Sequence, residues 1–285
     1  MTIEITLSGQ SCGAEVRGLN LSKPLSAEEI LIIKAAWAEH HVLAFPDQTM
    51  NDDDLERFTE YFGRLADDPF FRPIEGRRFV ASIERYADEK SPIFAESWHS
   101  DWSFKENPPI GTCLLGITIP PNGGDTLFAN QHLAYQNMPA SLKRETDGLW
   151  AVHSAVKAYS PDGLYGKTNP EVKTAMQPII SDEARKSQLH PLVMVHPDNG
   201  TKAIYGCAGY TIGIDGMGES EAEPLLLKLH QWQTREEVVY RHKWQPNMLI
   251  MWDNRSVLHA ATGGFDGYDR LLHRTTIWPE SGVVS

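Results

Sequence analysis

Ser97-Trp98-His99-Ser100-Asp101-Trp102-Ser103-Phe104 is the stretch on which the reading of this chain turns. It sets a histidine and an aspartate two residues apart in a run of aromatic and small residues suited to a strand. As a strand, its period of two puts His99 and Asp101 on one face and Trp98, Ser100 and Trp102 on the other. An imidazole nitrogen and a carboxylate oxygen aimed at one point are two ligands for a divalent metal. A His-x-Asp pair alone is weak ground for a site, because most such histidines are exposed or simply hydrogen-bonded. The rest of the chain has to supply a scaffold and further ligands.

The flanks read as short strands separated by turns. Before the pair lie residues 78–83, and after it residues 110–119, a strand pattern rich in small residues. Pro120-Pro-Asn-Gly-Gly124 is a turn, and residues 125–129 form another strand. Residues 190–196 and 203–206 are strands around the turn Pro197-Asp-Asn-Gly200, and residues 247–252 and 271–278 are two more, joined through His259 and a Gly-rich turn. Helices are few. Ser26 and Glu29 form a capping box for one ending near His40-His41, Asn51-Asp-Asp-Asp54 starts a second, residues 131–150 carry a broken third, and residues 219–240 the longest. The loop-rich, polar stretch 155–188 is long for a compact domain and reads as an active-site lid or loop. With no internal repeat and no linker, the pattern predicts one domain over residues 1–285. Its class is α+β with a mainly β core, a β-sandwich or barrel under covering helices.

Composition narrows the partners. The 285 residues carry 26 basic and 38 acidic side chains, a net charge of −12, which opposes nucleic acid and anionic membranes. An anionic ligand would therefore need its own local arginines. Three cysteines, Cys12, Cys113 and Cys207, lie far apart with no Cys-x-x-Cys pair, and read as free thiols of a reducing compartment. The first residues lack a basic start and an apolar block, and no run approaches the ~18 apolar residues of a membrane span. A cytoplasmic protein is the expectation.

Eleven histidines compete for the place of a third ligand. His40, His41, His132, His153, His190, His196, His230 and His242 read as surface or structural. His259 differs: it follows an apolar strand and a short polar bend, Trp252-Asp-Asn-Arg-Ser-Val-Leu-His259, that can turn its ring into the mouth of a barrel. Two histidines and a carboxylate would leave open positions on an octahedral Fe(II), but the same set also serves catalytic zinc. Arg270 and Arg274, four apart on one strand, share a face and lie about 13 Å apart. They suit two separate carboxylate-like ligands, or ion pairs with Asp266, Asp269 or Glu280.

The chain resembles the TauD/TfdA family (taurine / 2,4-dichlorophenoxyacetate dioxygenase-like) of Fe(II)- and 2-oxoglutarate-dependent dioxygenases along nearly its whole length. The resemblance is carried by Gly13-Ala-Glu-Val-Arg-Gly-Leu-Asn-Leu, Trp98-His99-Ser-Asp101, Gly123-Gly-Asp-Thr126-Leu-Phe, Trp252-Asp-Asn-Arg-Ser-Val-Leu-His259 and His273-Arg274-Thr-Thr. It implies a double-stranded β-helix (jelly roll, cupin-like), iron on His99, Asp101 and His259, and the distal carboxylate of 2-oxoglutarate on Thr126 and Arg270. Arg274 matches the arginine for the substrate's anionic head. With O2, 2-oxoglutarate would be decarboxylated to succinate and CO2 as the substrate is hydroxylated. Such enzymes are commonly cytoplasmic homo-oligomers, dimers or tetramers.

The pocket departs from the taurine enzymes. Asp68 stands where they carry a histidine, Ala95 where they carry an asparagine, and Trp102 where they carry a small aliphatic residue, while Phe71, Tyr159 and Tyr210 fall at pocket-wall positions. The extra carboxylate and aromatic rings favour a small organic acid of the aryloxyalkanoate kind over taurine. A sulfonate or alkyl-sulfate dioxygenase of the same chemistry is the alternative.

Overall fold

The computed structural model describes residues 2–167 and 174–280. Among the described residues fifteen strands run in chain order: β1 Glu4–Leu7, β2 Ala14–Arg17, β3 Val42–Phe45, β4 Ala81–Arg85, β5 Gly111–Thr118, β6 Thr126–Asn130, β7 Trp150–Ser154 and β8 Ser187–Pro191. They continue with β9 Val193–Val195, β10 Lys202–Ile204, β11 Thr211–Ile214, β12 Val239–His242, β13 Leu249–Asp253, β14 Val257–Ala261 and β15 Arg270–Ile277. The helices are α1 Ala27–His40, α2 Asp52–Glu60, α3 Gln131–Gln136, α4 Ala140–Thr146, α5 Val156–Tyr159 and α6 Glu219–Gln233.

The large sheet has the order β1-β2-β3-β13-β5-β15-β4, and β12-β6-β14 forms a second sheet. Pairing is antiparallel except between β2 and β3. The alternation of side chains in the large sheet builds two apolar layers. Leu43, Phe45, Leu115, Leu249 and Met251 point to one face and meet Ile33 and Trp37 of α1 and Leu55 and Phe58 of α2. Val42, Ala44, Leu114, Ile250 and Trp252 point to the other and meet Phe128, Tyr240 and Trp244 of the second sheet region. That inner layer is the interior of the expected jelly roll, a mainly β core with few covering helices. Deleting a ring there, as in Phe128→Ala, costs about 3–5 kcal/mol.

Local chemistry explains most element ends. The expected capping box of Ser26 with Glu29 forms, and the expected N-cap Asn51 forms a second box with Asp54. His41 closes α1 in a left-handed conformation, φ 66°, and stacks on His132, a structural role. Three expectations need correction. The helix over 219–240 stops at Gln233, because the β-branched pair Val238-Val239 and Tyr240 lead into β12, which takes its ladder from β6. The helical region 131–150 breaks at Pro139 as expected, but its second helix stops at Thr146, and Gly148 at φ 72° turns the chain into β7. His259 follows the turn at residues 254–256, as expected, but lies in a strand of its own, β14, paired opposite Phe128. Of the expected lid, residues 168–173 lie outside the described residues; the rest carries α5, a 3-10 turn over Asp182–Arg185 and the start of β8. Among the described residues no helix is long and apolar enough to cross a membrane.

Candidate active site

His99 and His259 face each other across an isolated antiparallel bridge and exchange both backbone hydrogen bonds, at 3.0 and 2.8 Å. Directly opposed residues hold their side chains close, and the two imidazole centroids lie 4.1 Å apart. The chain then leaves the strand. Residues 101–104 form a turn and Trp102 is left-handed, φ 49°. Asp101 thus reaches the histidines by a turn, not by the strand alternation that the sequence suggested. Its Oδ1 lies 3.8 Å from His99 Nε2 and 3.7 Å from His259 Nε2. One ligand atom from each residue falls within 4.8 Å of the others.

The surroundings orient all three groups. His99 Nδ1 bonds the Ser97 carbonyl at 2.8 Å, which fixes the tautomer that leaves Nε2 as a lone pair. Burial lowers the pKa of His99, and it takes His259 down to about 3, so both rings stay neutral and able to ligate. Burial alone would raise Asp101. The opposing pull of His259, Arg274 and His99, with the Thr112 hydroxyl, holds it below the usual carboxylate range. Thr112 Oγ1 donates to Asp101 Oδ2 at 2.6 Å, and Asn254 Nδ2 donates to Thr112 at 3.1 Å. Asn254 Oδ1 accepts from the Asp101 amide and from Trp252 Nε1. This leaves Oδ1 as the free oxygen, and a neutral two-histidine, one-carboxylate set of this kind fits Fe(II) with open positions.

A cavity of about 250 Å³ opens over the three donors, and both arginines of β15 border it. Arg270, Leu272 and Arg274 share the buried face of that strand, as its period predicts. Arg270 donates to the Gly124 carbonyl at 3.2 Å, yet its buried Nε has no partner among the described residues. Burial pulls its pKa down to about 10, with Asp125 opposing. Trp244 and Phe265 flank the guanidinium at 5.8 and 5.9 Å. Gly124 is required here: φ is +68°, and a Cβ would stand 3.2 Å from Arg270 Nε. Thr126 accepts from Trp244 Nε1, which leaves its own hydroxyl proton for another acceptor in the cavity. A buried cation with an unused N–H beside a spare hydroxyl is a seat for a carboxylate.

Arg274 is arranged differently. It pairs with Asp68, not with Asp266, Asp269 or Glu280, and its Nη1 lies 3.9 Å from Asp101 Oδ1. Phe71, Ala95, Trp102, Tyr159 and Tyr210 all border the cavity; Asp68 reaches it only through Arg274. The rings pack on one another, Phe71 on Trp102 at 5.6 Å and Phe70 on Tyr159 at 4.5 Å, so they form a closed wall. Burial raises both Tyr159 and Tyr210 well above the ordinary phenol value. Ala95 adopts φ 60°, a conformation asparagine tolerates better than alanine. Thr112, Asn254 and Lys157 were not singled out from sequence. Asn254 lies inside a quoted motif, but nothing local marks Thr112 or Lys157.

A second cluster, His196, Asp198 and Asp253, also brings donor atoms within 4.8 Å. Its space is filled by Arg255, which bonds Asp253 at 2.6 Å and Asp198 at 2.7 Å, so it reads as a structural ion network.

Comparison with known proteins agrees with this geometry. The family model described as "Taurine catabolism dioxygenase TauD, TfdA family" matches residues 4–276. An alkylsulfatase of Acinetobacter baylyi is 32% identical, over 93% of this chain and 81% of its own. The alpha-ketoglutarate-dependent 2,4-dichlorophenoxyacetate dioxygenase of Cupriavidus pinatubonensis is also 32% identical, over 95% and 96%. The crystal structure of AAD-2 in complex with Mn(II) and N-oxalylglycine superposes with a TM-score of 0.80 at 29% identity, covering 100% of both chains.

Proposed function

The chain belongs to the TauD/TfdA family and is a 2-oxoglutarate-dependent dioxygenase using Fe(II) and O2, and from that premise we propose that it hydroxylates a small organic acid of the aryloxyalkanoate kind. His99, Asp101 and His259 would hold the iron, and Arg270 with Thr126 the distal carboxylate of 2-oxoglutarate. Bound there, iron and 2-oxoglutarate supply the oxidising chemistry: one oxygen atom of O2 enters the substrate and the other enters succinate, with loss of CO2. If the hydroxylated carbon bears an ether oxygen, the hemiacetal formed breaks its C–O bond, giving a carbonyl compound and an alcohol or phenol.

The chain's own residues bind and orient. Thr112 and Asn254 fix which Asp101 oxygen is free, and Ser97 fixes the His99 tautomer. Phe71, Trp102, Tyr159 and Tyr210 give the cavity an aromatic wall against which a compact ring would pack. The observation that carries this reading is the co-location, in one cavity, of three converging metal donors and an arginine with an unused buried N–H. A sulfonate or alkyl-sulfate substrate is the second reading, favoured by the likeness to the A. baylyi alkylsulfatase. One domain assembled as a homo-oligomer would carry the activity.

The test is a succinate-release screen of purified protein with Fe(II), 2-oxoglutarate and O2 over aryloxy acids, sulfonates and alkyl sulfates. Stimulation by an aryloxy acid supports the first reading, and sulfite or sulfate release the second. Turnover that survives without O2 would instead indicate a hydrolase on the same ligands.

A further inference from the structure

Four cationic side chains border the cavity: Arg85, Lys157, Arg270 and Arg274. Their charges are not equally available. Arg85 lies 3.5 Å from Glu89 and also donates to the carbonyls of Glu89, Ser91 and Pro92. Arg270 is assigned above to the cosubstrate. Arg274, nearest the metal donors, is held by Asp68 in a pair whose side chains keep only 7% and 12% of their exposure.

Asp68 is not free to swing aside. Its Oδ1 accepts the backbone N–H of Phe70 at 3.1 Å and of Phe71 at 3.0 Å, while Oδ2 takes Arg274. Phe71 and Trp102 hold the guanidinium between them, with centroids 5.0 and 5.1 Å from Cζ. A guanidinium already paired offers a substrate N–H groups but little net charge. A further anion placed there would face the Asp68 carboxylate in a buried site, where like charges repel strongly. The Trp102 indole N–H, buried and without a partner among the described residues, adds an uncharged donor to the same wall. Around Arg274 the site therefore suits an uncharged oxygen acceptor.

Lys157 presents the opposite case. It is exposed on α5, its ammonium donates to the Thr211 carbonyl at 3.1 Å, and it pairs with no carboxylate among the described residues. A flexible four-carbon stem lets that charge follow a ligand. Glu84, which borders the cavity from β4, disfavours an anion on its own side.

Resting on the acid-substrate reading above, we propose that the substrate's acid group is held by Lys157, while Asp68 keeps Arg274 as a neutralised donor that takes an uncharged oxygen of the substrate, an ether or a carbonyl.

The test compares an acid found in the succinate screen with its methyl ester, in the wild type and in Lys157→Met and Asp68→Asn variants. Lys157→Met should raise KM for the acid about tenfold, leave kcat within about twofold, and leave the ester unaffected. Asp68→Asn keeps an acceptor for the two backbone N–H groups but removes the counter-charge, so the acid-to-ester ratio of kcat/KM should rise by roughly tenfold or more. An acid KM unmoved by Lys157→Met, or a ratio that Asp68→Asn lowers or leaves alone, overturns the proposal. If no acid stimulates the wild type at all, it is the acid-substrate reading that fails, and the Lys157 assignment falls with it. Lys157 is exposed, so its variant is expected to fold, and an unchanged melting temperature checks that.

Discussion

Replacing Arg270 with methionine should abolish cosubstrate binding and yet leave the unliganded protein as stable as before, or more so. The two halves of that expectation come from one observation. The guanidinium is buried, and burial lowers its pKa from 12.5 to about 10. At about 1.4 kcal/mol per tenfold, that fall represents roughly 3 kcal/mol spent in keeping the charge inside. Against it stand one hydrogen bond to the Gly124 carbonyl and contacts with Trp244 and Phe265. A hydrogen bond from a charged donor contributes about 1.5–3 kcal/mol, and ring contacts about 0.5–1 kcal/mol each. The terms nearly cancel, and methionine fills most of the volume. The net change in the unliganded protein should lie within about 2 kcal/mol of zero. It should be the same at pH 6 and pH 9, because the guanidinium stays charged until pH approaches 10. Loss of a charge-assisted carboxylate seat in a buried site should weaken 2-oxoglutarate binding by about 3–5 kcal/mol, on the order of a hundredfold or more. Differential scanning fluorimetry of the Mn(II)-loaded protein, with and without 2-oxoglutarate, reads both quantities. The wild type should gain several degrees on adding 2-oxoglutarate and Arg270→Met should gain none. A variant that melts far below the wild type while still responding to 2-oxoglutarate would refute the reasoning.

Thr112→Val keeps the shape but frees Asp101 Oδ2, so metal affinity should fall about 10–100-fold, as read by Mn(II) titration, with little loss of fold. Trp102→Phe removes the unpartnered indole N–H and should raise the substrate's KM by roughly two- to tenfold, while the cosubstrate's KM stays where it is in the wild type. Acidification should destabilise the metal-free protein. Burial takes His41, His153 and His259 to about 3 and His242 to about 4. Below pH 6.5 the unfolded chain binds protons that the folded one refuses, so stability falls as pH drops from 6.5 toward 4, by up to about 1.4 kcal/mol per pH unit for each histidine. Urea melts at pH 7.5, 6 and 5 should show that loss, and a flat profile would mean that these rings are not buried neutral.

Much of the fold could be read from the chain because local rules governed it. The capping box at Ser26, the N-cap at Asn51 and the buried run of β13 each formed where their own residues placed them. The misplaced boundaries lay where a distant partner decided, as when the β6 ladder claimed Val239 and Tyr240 from the end of α6. The site divides in the same way. The spacing of His99 and Asp101, and the shared face of Arg270 and Arg274, are short-range facts. The bridge of His99 to His259, the turn that delivers Asp101 and the hold of Thr112 on its carboxylate depend on residues 11 to 160 positions apart. The pairing of Asp68 with Arg274 spans 206 positions, and it changes what the arginine can do.

The triad itself is tested most directly by His99→Ala. Imidazole removal leaves Asp101 and His259 as two of three donors, in a cavity whose arginines and aromatic wall are untouched. The variant should lose Fe(II)-dependent, substrate-stimulated succinate release by a factor of about a thousand or more while retaining its fold by circular dichroism. Succinate release at the wild-type rate in His99→Ala would contradict the assignment of these three residues as the iron site.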